Sequence, residues 1–236
     1  MRDSITTVLF DLDGTLLPMQ LEEFTSAYFG LLAKKAAPYG YDAKELIASV
    51  WAGTKAMMKN DGSQSNCDVF WEKFAEIYGQ DALRHRTVFD DFYAHEFNGA
   101  IAATQPTPLA KQVVADLKSR GITLVLATNP VFPLVAVEQR LHWLDIDPAD
   151  FSLITSYENS RFCKPDPRYF EEILTAIGKT PGECLMVGND AVEDLAAEKI
   201  GIETYLLTDC LINSENRELS GVKQGSFEDL TEYLDV

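Results

Sequence analysis

The amino-acid sequence predicts an α/β protein, because short apolar runs alternate with helical patterns over most of its length. The apolar runs are rich in residues that favour strands, and they occupy residues 7–10, 122–127, 153–155, 184–187 and 204–207. The helical patterns occupy residues 109–119, 134–144, 168–177 and 192–199. Strands that alternate with helices form a parallel sheet, so we predict a Rossmann-like core with helices on both faces. Ligands of such sheets bind at the carboxyl ends of the strands.

The segment between the first two predicted strands shows helical periodicity only. Its apolar residues recur at helical spacing in successive stretches, which are Phe24, Tyr28 and Leu31, then Leu46, Val50 and Met57, then Phe70, Phe74 and Ile77, and finally Phe89, Phe92 and Tyr93. Aromatic residues at this spacing usually form a core, so we favour a packed helical bundle over an aromatic ligand cage. We therefore predict a helical-bundle cap at residues 18–105 and an α/β core at residues 1–17 and 106–236.

The charge of the chain limits its partners. Lys and Arg number 20 against 37 Asp and Glu, which gives a net charge of -17 at pH 7. A field of this sign repels nucleic-acid backbones and anionic membranes, so we predict neither as a partner. It also repels small phosphorylated molecules, and a phosphate site on this chain therefore needs local positive charge from a metal ion or a lysine.

The cysteines and the N-terminus indicate the compartment. Cys67, Cys163, Cys184 and Cys210 are scattered without a C-x-x-C spacing, so we interpret them as reduced thiols. The N-terminus shows no apolar signal segment, and no apolar run approaches the roughly 18 residues of a membrane helix. We predict a cytoplasmic protein, and the sequence leaves its oligomeric state open.

Two aspartates follow the first predicted strand, in the stretch VLFDLDGTLL at residues 8–17. Side chains alternate along extended backbone, so Asp11 and Asp13 face one side, and Gly14 lets the backbone turn away. Keeping both carboxylates charged at this distance is unfavourable, so either one carries a proton or a cation lies between them. A protonated acid can protonate a leaving group, and a charged one can act as a nucleophile. The alternative interpretation is an ordinary solvated Asp-Gly turn.

Polar residues also end three other predicted strands, which argues against the ordinary turn. In LVLATNP, Thr128 and Asn129 present a hydroxyl and an amide that can hold a phosphoryl oxygen. In RFCKPDP, Lys164 can supply the local positive charge. In LMVGNDAVED, Asp190 and Asp194 are one helical turn apart and repel each other unless they share a cation.

Four strand ends thus carry, in chain order, Asp-x-Asp, Thr, Lys and paired Asp. With this order and the segments DLDGTLL, ATN, CKPDP and VGNDAVEDLAAEKIG, the chain resembles the haloacid dehalogenase-like hydrolases over its whole length. The resemblance is to the phosphatase branch with an α-helical cap, which includes phosphoglycolate phosphatase and β-phosphoglucomutase. It implies magnesium-dependent hydrolysis of a phosphomonoester, on a small phosphorylated metabolite, through an aspartyl-phosphate intermediate.

The resemblance also implies catalytic roles at the matching positions. Asp11 is expected to be the nucleophile that takes the phosphoryl group. Asp13 is expected to protonate the leaving oxygen and then to activate water. Thr128 is expected to hold a phosphoryl oxygen with the Asn129 amide beside it, and Lys164 to offset negative charge on the nucleophile and the phosphate.

The implied cofactor is Mg²⁺, a hard cation that prefers oxygen ligands. The resemblance assigns it to Asp190 and Asp194, together with Asp11 and the backbone carbonyl of Asp13. Asn189 stands directly after the strand-end glycine, where many relatives have an aspartate. Because Asp190 and Asp194 share a face of the following predicted helix, we predict that Asp190 rather than Asn189 contacts the metal ion.

Two alternatives to a phosphatase are open on the sequence alone. A phosphomutase would pass the same aspartyl phosphate to a sugar instead of water, and a catalytically idle protein would only bind or regulate. The acid at Asp13 disfavours a dehalogenase, which lacks one there, and Thr15 resembles the phosphatases rather than the phosphoglucomutases. Sugar phosphates, phosphoglycolate and nucleotides all stay candidate substrates.

The predicted cap is expected to select the substrate and to move as a lid about its two linkers. By analogy with this branch, the segment VWAGTK lies over the active site, which makes Trp51, Gly53, Thr54 and Lys55 candidates for substrate contact. Lys55 is the predicted substrate-binding cation, and an exposed helix lysine is the equally supported alternative.

Overall fold

A six-stranded parallel sheet forms the centre of the fold in the computed structural model, which describes residues 4–236. The strands are β1 (Thr7–Phe10), β2 (Thr123–Leu126), β3 (Leu153–Ile154), β4 (Cys184–Gly188), β5 (Glu203–Leu207) and β6 (Gln224–Gly225). They lie in the order β3-β2-β1-β4-β5-β6, and every neighbouring pair is parallel. The predicted α/β class with a parallel sheet is therefore confirmed.

Helices cover both faces of this sheet. The α-helices of the described residues are α1 (Leu21–Ala36), α2 (Ala43–Met57), α3 (Asn66–Tyr78), α4 (Arg86–Ala94), α5 (Pro108–Ser119), α6 (Leu134–Trp143), α7 (Pro167–Ile177) and α8 (Phe227–Leu234). Successive side chains of a strand point to opposite faces, so alternate residues of β1 enter different hydrophobic cores. Val8 and Phe10 belong to one core, whereas Leu9 packs with Tyr169 and Ile173 of α7 in the other.

The register of the central strands brings their carboxyl ends level with one another. Phe10 of β1 lies opposite Leu126 of β2 and Val187 of β4. The residues beyond these three strand ends therefore begin at the same edge of the sheet. The polar segments that follow the strands in the sequence meet at that edge.

After β4, the secondary structure differs from the one that the sequence predicts. Residues 192–199 do not form the predicted α-helix, and a 3₁₀ helix occupies Leu195–Ile200 instead. Asp190 Oδ1 accepts hydrogen bonds from the backbone N–H groups of Val192 and Glu193, which holds these residues in a turn before the helix begins. The sequence pattern predicts neither β6 nor α8, because a two-residue strand shows no alternation and α8 is only eight residues long.

Helices α1 to α4 lie between β1 and β2 in the chain, where the sequence predicts an all-helical insertion. Aromatic residues fill the interior of this bundle, among them Phe24, Phe74, Phe92 and Phe97. The insertion begins and ends at one place, because Met19 and Thr104 form a β-bridge and the N–H of Gln105 donates to the carbonyl oxygen of Pro18 at 2.8 Å. The assignment of residues 18–105 to a separate cap domain stays a prediction.

The cysteines are unpaired thiols, of which Cys67, Cys163 and Cys184 are buried and Cys210 is partly exposed. This agrees with the reduced state that the sequence predicts. Among residues 4–236, no helix combines the length and the apolar composition needed to cross a membrane.

Candidate active site

Asp11 and Lys164 form the buried centre of a polar site at the carboxyl edge of the sheet. Asp11 is the first residue after β1, and its backbone N–H donates to the carbonyl oxygen of Val187 at 2.9 Å, which holds it beside β4. Lys164 precedes α7, and its side chain is fully buried. Its Nζ donates to Asp11 Oδ1 at 2.9 Å and to Asp194 Oδ1 at 2.6 Å. The lysine therefore bridges two of the predicted acids.

Burial and charge shift the proton affinities at this centre. Burial raises the pKa of the Asp11 carboxyl to about 7, while the charge of Lys164 opposes that shift. Burial acts to lower the pKa of Lys164, but Asp11 and Asp194 beside it outweigh burial and raise that pKa well above its usual value. Lys164 is therefore a cation at neutral pH, and it supplies local positive charge inside an acidic protein.

Asp13 pairs with an arginine that the sequence analysis did not identify. Arg140 of α6 is fully buried, and its Nη1 donates to Asp13 Oδ2. Its Nε donates to the carbonyl oxygen of Ala136 at 3.1 Å, and its guanidinium carbon lies 4.5 Å from the centre of the Phe132 ring. Asp13 Oδ1 is buried and has no hydrogen-bond partner within residues 4–236. One oxygen of Asp13 is thus anchored, while the other has no protein partner there.

Thr128 and Asn129 follow β2, as predicted, and lie beside the acids. The carbonyl oxygen of Thr128 accepts hydrogen bonds from Thr155 Oγ1 at 2.7 Å and from the Tyr169 hydroxyl at 2.9 Å, which fix the loop. Asn129 Nδ2 donates to Glu193 Oε2 at 2.9 Å, and Asn129 Oδ1 is buried without a partner in the described part of the chain. Burial raises the pKa of Glu193 to about 8. Glu193 is therefore a further acid at this edge.

Asp190 and Asp194 reach the same edge from the turn after β4. Asp194 Oδ1 accepts from Lys164, and its Oδ2 accepts from the backbone N–H of Asp190 at 2.9 Å. Asp190 Oδ1 caps the backbone N–H groups of the turn that follows it. Asp194 thus ties the turn to Lys164, and Asp190 shapes the turn itself.

Asn189 is held in one orientation by two hydrogen bonds. Its Oδ1 accepts from Thr15 Oγ1 at 3.0 Å, and its Nδ2 donates to the carbonyl oxygen of Cys210 at 2.7 Å. Gly14 lies against this amide with a φ of 84°, and a Cβ at position 14 would lie 2.4 Å from Asn189 Nδ2. Glycine is required here for both reasons, and it lets Asn189 pack against the backbone next to Asp13.

The chemistry of this edge fits the Mg²⁺ that the resemblance implies. Among residues 4–236, no three acidic, histidine or cysteine side chains converge on a common metal position. Mg²⁺, however, is usually held by one or two carboxylates and keeps several waters, so it does not require such a cluster. Five acids line this end of the cavity, whereas Lys164 and Arg140 are the cations that pair with them, so the carboxylates outnumber the cations. A divalent cation would relieve that excess.

A cavity of about 270 Å³ lies over these residues and extends between the helices of the insertion. Its acid end is lined by Asp11, Asp13, Thr128, Asn129, Asp190 and Asp194. Its aromatic end is lined by residues of α1 to α4, among them Phe24, Tyr28, Phe70, Trp71 and Phe89. The residues of this second set are buried. They therefore form the core of the bundle, as predicted, and also the wall of a cavity.

The four candidate residues of the segment VWAGTK have different positions relative to the cavity. Trp51 and Thr54 line the cavity. Gly53 does not, and a Cβ there would lie 2.5 Å from the Phe70 ring, so glycine lets α2 and α3 pack closely. Lys55 is exposed and is not among the residues that line the cavity. Its contact with a substrate stays a prediction.

Arg140 and Glu193 are the site residues that the sequence analysis missed. Both belong to predicted helical patterns, where a charged side chain is normally exposed. Arg140 is separated from Asp13 by 127 positions, so no local spacing connects the two. Glu193 directly precedes Asp194, and only an inspection of every acid after β4 would have included it.

Known proteins resemble this chain over most of its length. A haloacid dehalogenase-like hydrolase family model matches residues 5–201. Glyceraldehyde 3-phosphate phosphatase of Methanothermobacter thermautotrophicus is 30% identical over 243 residues, which cover 98% of this chain and 99% of that protein. Phosphoglycolate phosphatase of Yersinia pseudotuberculosis is 29% identical over 211 residues, which cover 87% of this chain and 82% of that protein.

Solved structures share the fold. A predicted phosphoglycolate phosphatase from Haemophilus somnus superposes with a TM-score of 0.58 at 19% identity, over 99% of this chain and 100% of that one. A β-phosphoglucomutase from Clostridium difficile superposes with a TM-score of 0.57 at 18% identity, over 98% of this chain and 96% of that one. At these identities the similarity concerns the fold alone.

The parallel sheet makes the chain an α/β protein, and the family match makes it a hydrolase. The chain belongs to the haloacid dehalogenase-like hydrolase family, as its motifs predict. The curated relatives named as phosphatases support the predicted phosphatase enzyme.

Proposed function

We propose that this protein is a magnesium-dependent phosphomonoester hydrolase that acts on a small phosphorylated metabolite through an aspartyl phosphate on Asp11. The observation that carries this proposal is the 2.9 Å contact between Lys164 and Asp11 at the acid end of a cavity that Asp13 also lines. A nucleophile, an acid and a buried cation at one end of a cavity suit phosphoryl transfer through a covalent intermediate.

The first step transfers the phosphoryl group to the protein. A carboxylate oxygen of Asp11 attacks phosphorus, the ester P–O bond breaks, and the leaving oxygen takes a proton from Asp13. Lys164 offsets the charge on Asp11 and on the phosphoryl group, while Thr128 and Asn129 hold phosphoryl oxygens. The anchored Oδ2 of Asp13 leaves its Oδ1 as the atom that carries the proton.

The second step returns the protein to its starting state. Water attacks the phosphorus atom of the aspartyl phosphate and gives a proton to Asp13, and the bond between phosphorus and Asp11 breaks. Inorganic phosphate leaves, Asp11 is free again, and Asp13 has regained the proton that it gave to the leaving group. The two steps therefore balance, with Asp13 as acid in the first and base in the second.

Asp11, the backbone carbonyl of Asp13 and Asp190 would hold Mg²⁺, with Asp194 beside them. When bound, Mg²⁺ offsets the negative charge of these acids and of the phosphoryl group. Asp190→Ala is expected to raise the Mg²⁺ concentration for half-maximal activity by at least about 10-fold, and more than Asn189→Ala does. The opposite order in a Mg²⁺ titration would assign the direct contact to Asn189.

The proposed partner is the phosphorylated substrate, and the proposed location is the cytoplasm. Several relatives are named for small phosphorylated substrates, including phosphoglycolate, glyceraldehyde 3-phosphate and ribulose 1,5-bisphosphate. The net charge of -17 argues against nucleic acid and anionic membranes as partners.

Phosphate release from an aryl phosphate and a panel of metabolite esters tests the proposal, with Mg²⁺ present. Asp11→Asn is expected to lower kcat/KM by at least about 10⁴-fold, because an amide is a poor nucleophile. Asp90→Asn, at an exposed position of α4, is the matched control and should keep full activity. Both variants should remain folded, which circular dichroism checks. Retained activity in Asp11→Asn would exclude the aspartyl phosphate.

A further inference from the structure

We propose that the aromatic end of the cavity selects phosphomonoesters whose organic group is uncharged, apolar and about the size of one aromatic ring. This inference rests on the proposed function, because it takes the phosphoryl group to lie at the acid end. It goes beyond that function, because it names the chemistry of the group that the enzyme releases.

The wall of the aromatic end is mainly apolar. It is lined by the rings of Phe24, Phe29, Phe70, Trp71, Phe89 and Phe132. Neighbouring rings pack edge to face, as between Trp71 and Phe89, whose centres are 5.5 Å apart at an angle of 82°. Such packing holds the rings that line the cavity in place. An apolar group that enters the cavity is stabilised in proportion to the apolar area that it removes from water.

The charged residues of the cavity lie at its acid end and are all negative. In the part of the chain that the structure describes, no lysine, arginine or histidine lines the cavity. A substrate carboxylate at the aromatic end would find no cation in the cavity lining, because Arg140 packs on the Phe132 ring outside that lining and is paired with Asp13, in a protein whose net charge is -17. Phosphoglycolate carries its carboxylate on the ester carbon, so that charge would lie where the acid end meets the aromatic end, beside the acids of the cavity lining. It is a poor match for this cavity.

The polar groups at the aromatic end bond largely to one another. The hydroxyls of Tyr28 and Tyr93 are 2.8 Å apart, and Trp71 Nε1 donates to the Tyr157 hydroxyl at 3.4 Å. Thr54 Oγ1 donates to a backbone carbonyl of its own helix at 3.0 Å. A polyhydroxylated sugar would give up hydrogen bonds to water and find few partners in return. The aromatic end therefore disfavours sugar phosphates as well.

The size of the cavity limits the organic group further. Its volume of about 270 Å³ is just below the range of roughly 300–1,000 Å³ that is typical of ligand sites. Part of that volume belongs to the acid end, where the phosphoryl group lies. The remaining space suits a single ring or a short alkyl chain rather than a nucleoside.

Benzyl phosphate and phosphoglycolate give the sharpest test, because both are phosphate esters of primary alcohols and differ mainly in ring against carboxylate. With the wild-type protein and Mg²⁺, kcat/KM for benzyl phosphate is expected to exceed that for phosphoglycolate and for glycerol 3-phosphate by at least about 10-fold. Equal values, or a preference for the polar esters, would overturn this inference and leave the proposed function standing. Failure to release phosphate from any ester would overturn both.

A positive charge introduced into the cavity lining tests whether the preference for benzyl phosphate arises at the aromatic end. Thr54→Arg adds a cation to the cavity lining and is expected to reduce the preference for benzyl phosphate over phosphoglycolate by at least about 10-fold. Ala48→Arg adds the same charge at an exposed position of the same helix and should leave the preference unchanged. If the Thr54→Arg variant does not fold, Thr54→Lys replaces it, because lysine places a positive charge at the same position on a more flexible side chain. Equal shifts at positions 48 and 54 would refute the assignment to the cavity.

Discussion

The two ends of the cavity are built by opposite means. The acid end is lined by residues that follow β1, β2 and β4, and buried charges are crowded there at one edge of the sheet, where Lys164 pairs with Asp11 from outside the lining. The aromatic end consists largely of helix residues from the insertion, which bury apolar surface against one another. The comparison indicates that chemistry and selectivity reside in separate parts of this fold.

The two ends should also respond differently to substitution. At the acid end, Asp11, Lys164 and Asp194 form one network, so the loss of one member leaves the others buried without a partner. At the aromatic end, each ring shares its contacts with several neighbours. We therefore expect large and coupled effects at the first and smaller effects at the second.

Lys164→Met should give the largest loss of stability, because it leaves Asp11 and Asp194 buried without their cation. We expect the free energy of unfolding to fall by about 3–5 kcal/mol and kcat/KM to fall at least about 100-fold. Thermal unfolding and phosphate release measure the two effects, with Lys34→Met at an exposed position as control. Adding Asp11→Asn should restore part of the stability and none of the activity. A Lys164→Met protein as stable as the wild type would contradict the larger effects that are expected at the acid end.

Arg140→Met should impair turnover more than folding, because Arg140 anchors one oxygen of Asp13. We expect kcat/KM to fall by about 10- to 100-fold through misplacement of the acid. The loss should be greater for esters with poor leaving groups, which depend more on protonation. Arg140→Lys should recover part of the activity. The same loss for all leaving groups would mean that Arg140 does not act through Asp13.

The stability of the acid end should depend on pH and on Mg²⁺. Burial raises the pKa of Asp11 to about 7 and that of Glu193 to about 8, so between about pH 4 and pH 8 the folded state holds protons that the unfolded state has lost. The free energy of unfolding of the metal-free protein therefore falls as pH rises through this window. Mg²⁺ binds the ionised acids, so its stabilising effect should grow with pH.

Thermal unfolding at pH 5.5 and pH 8, with EDTA or with Mg²⁺, measures this dependence. With EDTA we expect a Tm several degrees lower at pH 8, since about 1 kcal/mol shifts Tm by roughly 2–4 °C at this chain length. Asp11→Asn should flatten the pH dependence. A higher Tm at pH 8 than at pH 5.5 without metal would contradict the expected direction.

Tyr93→Phe should have the smallest effect, because it removes one hydroxyl from the aromatic end. We expect the free energy of unfolding to fall by about 1 kcal/mol through loss of the hydrogen bond to Tyr28. The kcat/KM for benzyl phosphate should stay within about twofold of the wild-type value, because the ring remains. Tyr28→Phe is the matched variant, and the double variant should lose less than the sum. Additive losses would show that the two hydroxyls are not coupled.

The acid end could be predicted from the sequence more fully than the aromatic end. Asp11 and Thr128 each follow their strand almost directly, and parallel strands place such residues at one edge whatever the helices do. Arg140 lacked any such signal, because its partner lies in a distant part of the chain and a helix pattern does not show that a charge is buried. The relation of Lys164 to its two acids likewise required the folded chain.

Helical periodicity predicted most of the buried residues of the insertion, although Ile77 is exposed, but it could not show where the bundle stays open. A ring such as Phe70 satisfies the same pattern whether it touches other rings only or also a cavity. That choice depends on how the helices are placed against one another and against the sheet. The position of Lys55 outside the cavity lining depends on the same placement.

The bridge between Met19 and Thr104 has an evolutionary consequence. A polypeptide whose two ends already lie side by side can be replaced by another of different length without disturbing the strands that flank it. Recombination between related genes then needs only one matched pair of junctions to bring a foreign insert over Asp11 and Asp13. Lineages that share this junction can change the molecules they consume while their reaction chemistry is inherited intact.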